Sequence, residues 1–333
     1  MPTSDQPTAI VTGPTGQDGS YAVERLLDRG DAVVAVHRPG SDSDRGVLGA
    51  AAGRVQWSTV DMGDDAAVAR LVNERRPERV YHFGAPSFVP ASWENPVATA
   101  DAVALVVARW LDAIRRYSPE TRFFNASSAV VYGSRCEGRC DEGTRLDPDT
   151  PYGAAKAHAH VLVASYRERY DLFACNGILF NHESPRRAPA FVTRKITQAA
   201  ARIRHGLAER VELGNLDTQR DWGFAGDTVD AALRMLEHTT AGDYVIATGQ
   251  THSVREVVER AFARAGLDWA EHVDVDPALV RSGEAPVLVG NAGKAERELG
   301  WRPRVSFEAL IDAMVDADLE RAAVEAAERG NGS

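Results

Sequence analysis

The sequence predicts an α/β fold, a doubly wound parallel sheet followed by a smaller C-terminal lobe, and three observations predict it. Short apolar runs alternate with segments of helical period through the first half of the chain, which is the pattern of β-α-β units. A glycine-rich turn separates the first apolar run from the first helical segment. The 333 residues also exceed the roughly 250–300 at which a single core stops growing. A second lobe is therefore expected.

Thr8–Thr12 reads as the first strand. Ser20–Arg29 carries Tyr21, Val23, Leu26 and Leu27 at helical spacing and stops at Gly30. Ala32–His37, Val55–Val60 and Arg79–Phe83 are the next strands, with a helix at Ala66–Glu74 between the last two. Leu105–Arg116 and Pro151–Tyr170 are helices, and Arg122–Ala126 and Phe173–Phe180 complete the sheet. After Asn181 the pattern loosens at Pro185, Arg186, Arg187 and Pro189, then resumes as a helix at Val192–His205 and strands near Val211–Leu213 and Tyr244–Thr248. Residues 1–180 are assigned mainly to the sheet domain and 181–333 mainly to the smaller lobe, with a strand or helix free to exchange between them. The Ala/Glu-rich tail Glu320–Ser333 reads as a frayed helix.

Composition narrows the function. With 38 Lys+Arg against 48 Asp+Glu the formal charge is −10, which repels a phosphate backbone and argues against nucleic acid as a partner. Cys136, Cys140 and Cys175 supply neither a disulfide framework nor a zinc set, and Cys136 and Cys140 are expected to be reduced. No metal is expected. The opening Met1-Pro2-Thr3-Ser4-Asp5-Gln6-Pro7 has no basic stretch leading into an apolar one, and no run reaches 18 apolar residues. A soluble, cytoplasmic protein without a membrane partner is expected.

Thr12-Gly13-Pro14-Thr15-Gly16-Gln17-Asp18-Gly19 lies where the first strand passes into a helix. Glycines there let backbone approach a pyrophosphate aimed at the helix N-terminus. Gly13, Gly16, Gln17, Asp18 and Gly19 are thus candidate cofactor residues. A dinucleotide enzyme selective for NAD presents an acid at the end of the second strand, whereas His37-Arg38 stands here, and Arg38 suits a 2′-phosphate. NADP is expected in preference to NAD. Asp61 is the candidate acceptor for the adenine amino group, and Gly84 and Ala85 belong to the turn that would pass under the cofactor.

Tyr152 and Lys156 stand four residues apart, one above the other on a helix face, where the cation can lower the phenol pKa. Ser128, at the end of a strand aimed at the same place, can hydrogen-bond the hydroxyl being oxidised. Together Ser128, Tyr152 and Lys156 read as a hydride-transfer triad.

These motifs resemble the extended short-chain dehydrogenase/reductase family and, within it, the GDP-mannose 4,6-dehydratases. The resemblance is carried by Thr12–Tyr21, Ala174–Arg187, Phe191–Lys195, Leu213–Asp217, Arg220–Gly223 and Tyr244–Glu256. It implies a Rossmann-type sheet with a substrate-binding C-terminal lobe, and a homodimer or homotetramer. It also implies that Asn181, Lys195, Gly214, Arg220, Arg281 and Glu284 hold a GDP-sugar, while Leu179, His182 and Arg187 line the cofactor side. The cations suit a diphosphate and the carboxylate suits a ribose diol.

The chain departs from the family at the active-site run. Dehydratases carry a motif of the type S-T-S-E-L-Y-G, whose threonine assists carbon-4 oxidation and whose glutamate removes the carbon-5 proton. Here the run is Ser127-Ser128-Ala129-Val130-Val131-Tyr132-Gly133, similar to the S-S-A-x-V-Y-G of nucleotide-sugar 4-epimerases. Val130 has no ionisable group. Gly84-Ala85-Pro86-Ser87-Phe88 likewise replaces an A-A-Q-S-H type segment, with Ser87 kept as a substrate contact. The expectation is an NADP-dependent GDP-sugar epimerase acting through transient oxidation at carbon 4 of GDP-mannose or a related GDP-hexose or GDP-heptose. The alternatives are a GDP-mannose 4,6-dehydratase with a substitute base among Glu137, Glu142 and Cys136, and a non-catalytic GDP-sugar-binding homologue.

Overall fold

The computed structural model describes residues 8–136, 138–279 and 287–330. Its first half alternates as predicted: β1 Thr8–Thr12, α1 Gln17–Asp28, β2 Ala32–His37, β3 Gln56–Thr59, α2 Asp65–Arg75 and β4 Arg79–His82. Two short helices, α3 Ala91–Glu94 and α4 Pro96–Ala100, lead through a π-helical turn at Asp101–Leu105 into α5 Val106–Tyr117. Then come β5 Arg122–Ser128, β6 Arg139–Cys140, α6 Pro151–Tyr170, β7 Ala174–Leu179 and β8 Asn181–Glu183. The second half holds α7 Val192–Arg204, β9 Val211–Leu213, β10 Gln219–Arg220, β11 Trp222–Phe224, α8 Ala225–Glu237 and β12 Asp243–Ile246. It ends with β13 His252–Ser253, α9 Val254–Arg264, β14 Val273–Val275, β15 Val287–Gly290, α10 Gly293–Leu299 and α11 Phe307–Gly330.

Seven parallel strands form one sheet in the order β12-β7-β5-β4-β1-β2-β3. The order reverses between β1 and β4, which opens a crevice at the carboxyl ends of those strands, the usual ligand position in a Rossmann-type sheet. Apolar side chains cover both faces. On one, Ala22, Val23 and Leu26 of α1 and Val229, Leu233 and Leu236 of α8 share a core. On the other, Val68 and Leu71 of α2, Trp110 and Ile114 of α5, and Ala159 and Val163 of α6 do so. The strand near Tyr244, grouped in sequence with the smaller lobe, is the outermost strand of this large sheet.

A separate core lies in the C-terminal half, where Ile196 and Ala200 of α7 meet Val257, Val258 and Phe262 of α9 and Ile311 and Val315 of α11. The frayed tail of the sequence reading belongs in part to the folded body, since Ala322 is buried. Nearby the Arg194 guanidinium grips the Asp318 carboxylate at 2.6 and 2.9 Å, with Thr197 adding a 2.8 Å bond.

Helix α1 begins three residues before the predicted Ser20. Gly16 is its N-cap, and Gln17-Asp18-Gly19 forms the first turn despite the weak helix propensity of glycine. The reason is steric: a Cβ on Gly19 would lie 2.0 Å from the Gly13 carbonyl oxygen, so only glycine lets the turn close on the cradle. Helix α6 starts where predicted, because Pro151 occupies its first turn and the Thr150 hydroxyl accepts from Gly153 N–H at 3.0 Å.

Candidate active site

The cradle forms at the crevice between β1 and β4. Gly13 has φ +65°, and a Cβ there would lie 2.8 Å from Gly84 Cα, so the turns after the two strands touch backbone to backbone. The Thr12 hydroxyl accepts from Gly84 N–H at 2.9 Å and pairs with His82 Nδ1 at 2.9 Å. Burial holds His82 neutral, with its pKa pushed down to about 3. Gly16 makes no side-chain cap bond, which leaves the first-turn amides of α1 facing the cradle. Those donors, with no Cβ in the way at Gly13 or Gly16, fit a pyrophosphate.

Gln17 and Asp18 tie the first turn of α1 to His182 in β8 and to Ser184. Gln17 donates to the His182 carbonyl at 3.0 Å and accepts from Ser184 Oγ at 2.9 Å. His182 Nε2 lies 3.1 Å from the Asp18 carboxylate and its Nδ1 lies 2.7 Å from the Phe180 carbonyl, so both ring nitrogens face acceptors. This geometry suits an imidazolium. Burial opposes the charge, yet Asp18 prevails and holds His182 above the ordinary histidine value, while Asp18 is held below its own by His182 and then Arg187 against its burial. Arg187 lies 3.1 Å from Glu183 and stacks over Phe191 at 3.4 Å from the ring centre.

Further out, Arg38 is exposed at the end of β2, and Asp61 is exposed with its carboxylate accepting from Gly63 N–H at 2.9 Å. The exposed Ser87 follows Ala85, which packs with Val89 and Val130 against Tyr152 and Ala155. Leu179 is buried at the end of β7, paired in register with Ser128.

Tyr152 and Lys156 are both buried. The Lys156 ammonium donates to the Ala126 carbonyl at 2.7 Å and sits 5.7 Å from the Tyr152 ring centre. Burial pushes Lys156 down to about 8 and Tyr152 well above the ordinary phenol value, Arg187 offsetting only part of the latter. The direction is thus opposite to the lowering by Lys156 that the spacing predicts, and burial sets it. Ser128 Oγ accepts from Val130 N–H at 3.4 Å, a weak bond that leaves the hydroxyl able to take another partner.

The remaining candidates are spread along the C-terminal half. Asn181 in β8 pairs in register with Trp222 in β11. Arg220 lies in β10, between β13 and β15, and donates to the Gln219 carbonyl at 2.7 Å. Lys195 is exposed and donates to the Glu212 carbonyl at 2.7 Å. Gly214 lies so close to Leu279 that a Cβ would stand 2.7 Å from the Leu279 carbonyl oxygen. Arg281 and Glu284 lie outside the described residues.

Sequence reading missed a largely buried polar group between α6 and the sheet, in which Ser127, His160 and Asp243 meet. Its one sequence signal is His160, a single turn beyond Lys156 on α6. Cys136 and Cys140, expected to be reduced, are joined by a disulfide. Among the described residues no group of three or more acidic, histidine or cysteine side chains is arranged to hold a metal, and no helix is long and apolar enough to cross a membrane.

Residues 10–314 match the family described as GDP-mannose 4,6 dehydratase. The chain is 42% identical over 328 residues to GDP-mannose 4,6 dehydratase 1 of Arabidopsis thaliana, covering 94% of this chain and 90% of that one. It is 40% identical over 339 residues to GDP-mannose 4,6 dehydratase of Homo sapiens, covering 94% and 91%. Among solved structures, UDP-glucose 4-epimerase of Thermus thermophilus in complex with NAD superposes with a TM-score of 0.82 at 30% identity, over 93% and 98% of the two chains.

The 4-epimerase expectation rested on seven residues around Val130. It is overturned by likeness of about 40% along nearly the whole chain to proteins that are dehydratases. A single aliphatic position in a local run carries less weight than agreement through both lobes, and the epimerase likeness in the fold reflects a scaffold that hosts both chemistries. The chain belongs to the GDP-mannose 4,6-dehydratase family.

Proposed function

We propose that this chain is a lyase that removes water across carbons 5 and 6 of a GDP-hexose, GDP-mannose being the first candidate, after oxidation at carbon 4. One observation carries the reading: buried Lys156 donates to the Ala126 carbonyl, two residues before Ser128, and buried Tyr152 packs against Ala85, next to Gly84 of the cradle, in a chain whose relatives along 94% of its length are GDP-mannose dehydratases. The donors of the cradle suit a nicotinamide dinucleotide, as in the related structure solved with NAD, and Arg38 favours NADP over NAD. When bound, that cofactor supplies a hydride acceptor at carbon 4 and later a hydride donor.

Tyr152 acts as the phenolate, ionised beside the Lys156 ammonium: its Oη takes the proton of the carbon-4 hydroxyl, which Ser128 Oγ orients, and becomes the neutral phenol. Gly13, Gly16, Gly19, Gly84, Asp18 and His182 shape the cofactor side, with Gln17, Asp61, Ala85, Leu179 and Arg187. Ser87, Asn181, Lys195, Gly214, Arg220, Arg281 and Glu284 are assigned to the GDP-sugar. Val130 cannot take the carbon-5 proton, so another base does. Glu142 already accepts from Val245 N–H at 2.7 Å and Cys136 is bonded to Cys140. Glu137, outside the described residues, is the substitution to make first. We also assign a cytoplasmic homodimer or homotetramer.

Incubation with GDP-mannose in heavy water, followed by NMR, tests the reading. A 4-keto-6-deoxy sugar carrying deuterium at carbon 5 is expected, and Glu137→Gln slows its formation. A product that keeps its carbon-6 hydroxyl overturns the assignment.

A further inference from the structure

Where α6 meets β5, β7 and β12 lies a group of polar side chains that the chemistry above does not use. Ser127 Oγ and His160 Nδ1 are 3.1 Å apart, and both residues are buried. His160 Nε2 faces the Asp243 carboxylate at 3.6 Å. That carboxylate is itself fixed: Arg167 holds both oxygens at 3.0 and 3.1 Å, and Asn176 donates to one at 2.9 Å. Asn176 also donates to the His160 carbonyl at 3.1 Å and accepts from Asn125 at 2.8 Å. The cluster ties together β5, α6, β7 and β12.

At 3.6 Å the carboxylate makes no hydrogen bond to the ring, but its charge favours the tautomer with the proton on Nε2, in which Nδ1 accepts from the Ser127 hydroxyl. Burial lowers the His160 pKa against the pull of Asp243, with Arg167 on the same side as burial, and the ring stays neutral. The charged groups facing it are Asp243 from β12 and Arg167 from its own helix, with Lys156 one turn away.

Ser127 matters because of the peptide it shares. The Ala126 carbonyl, which receives the Lys156 ammonium at 2.7 Å, belongs to the peptide unit ending at Ser127 nitrogen. Beyond Asn125, β5 continues in register with β7 on one side, whereas its register with β4 ends at His82 and Asn125. That peptide lies where the sheet holds the strand from one edge. We propose that Ser127, His160 and Asp243 are a clamp that fixes the Ala126–Ser127 peptide and thereby holds the Lys156 ammonium beside Tyr152. Ser127 and His160 are positioning residues. Their relevance to turnover rests on the function proposed above, whereas the clamp itself does not.

The chain has three lysines, Lys156, Lys195 and Lys294, so the clamp can be read directly. In the full chain labelled with 13C at lysine Cε, the Lys156 signal is assigned by its loss in Lys156→Arg, and its titration is followed by NMR. Ser127→Ala and His160→Phe are expected to lower its midpoint from about 8 by about half a unit or more, as the ammonium loses a fixed acceptor. Lys195, bonded to Glu212, stays as the control. His160→Gln, which keeps an acceptor for Ser127, restores the midpoint.

If the variants melt earlier while Lys156 titrates as before, the cluster is only structural and the proposal is overturned. With GDP-mannose, Ser127→Ala is expected to lower kcat about tenfold with KM unchanged. A shifted midpoint in a chain that forms no 6-deoxy sugar upholds the clamp and rejects the proposed reaction.

Discussion

Lys156 shows how one side chain can work against the fold that holds it. Its ammonium is buried and held down to about 8, so between that pH and its ordinary value of about 10.4 the unfolded chain binds the proton more tightly than the folded one. The stability cost is fully present below about 8, shrinks as pH rises through the window, and vanishes above the ordinary value. Lys156→Met is therefore expected to stabilise the protein at pH 7 by about 1–3 kcal/mol while abolishing sugar oxidation. Chemical denaturation at pH 7 and above pH 10 checks this; a gain that persists at the higher pH would contradict the assignment. The spacing of Tyr152 and Lys156 was legible in the sequence because a helix converts four residues into one face. The balance of forces on them was not, because desolvation depends on Val103, Ala104 and Ala155, which close over the phenol from elsewhere in the chain or from the same helix. His160 was equally hidden, since Ser127 and Asp243 reach it from two different strands.

At the level of elements, the cradle depends on backbone meeting backbone. Gly19→Ala places a methyl group 2.0 Å from the Gly13 carbonyl, so the first turn of α1 must open. Expected results are a cofactor affinity at least tenfold weaker, measured by titration of intrinsic fluorescence, and a lower melting temperature. Normal affinity would show that the turn adapts. Strands and helices of the first half were readable because each carries its own period and its own stop signals, such as Gly30 or the Pro151 start. The later helices α8, α9 and α11 were less so. Their apolar faces are shared with several neighbours, and Ala225–Glu237 buries ten of its thirteen residues, Asp227 and Thr228 among them. The short helices α3 and α4 have little apolar patterning to read.

Across the whole molecule, the buried Arg194–Asp318 pair fastens the last helix to α7. Asp318 also accepts from Thr197 and Arg321. Asp318→Ala leaves a guanidinium buried without its partner, and a loss of about 3–5 kcal/mol is expected in equilibrium unfolding. A loss below about 1 kcal/mol would mean that Arg194 finds water instead. The pairing of distant segments is the part of the architecture that sequence patterns carry least. Nothing in Tyr244–Thr248 marks it as a neighbour of Ala174–Leu179, yet the two strands run side by side through four registered pairs.

That placement of β12 has a consequence for synthesis. When the first 180 residues have left the ribosome, the cradle, Tyr152 and Lys156 have all been made, but β7 still lacks its outer neighbour. Its residues are entirely buried in the finished protein, and an unpaired apolar strand invites association with other chains. Some sixty more residues must emerge before Asp243–Ile246 seals it. The nascent half-enzyme thus passes through a vulnerable interval in which a holding chaperone would find a ready client.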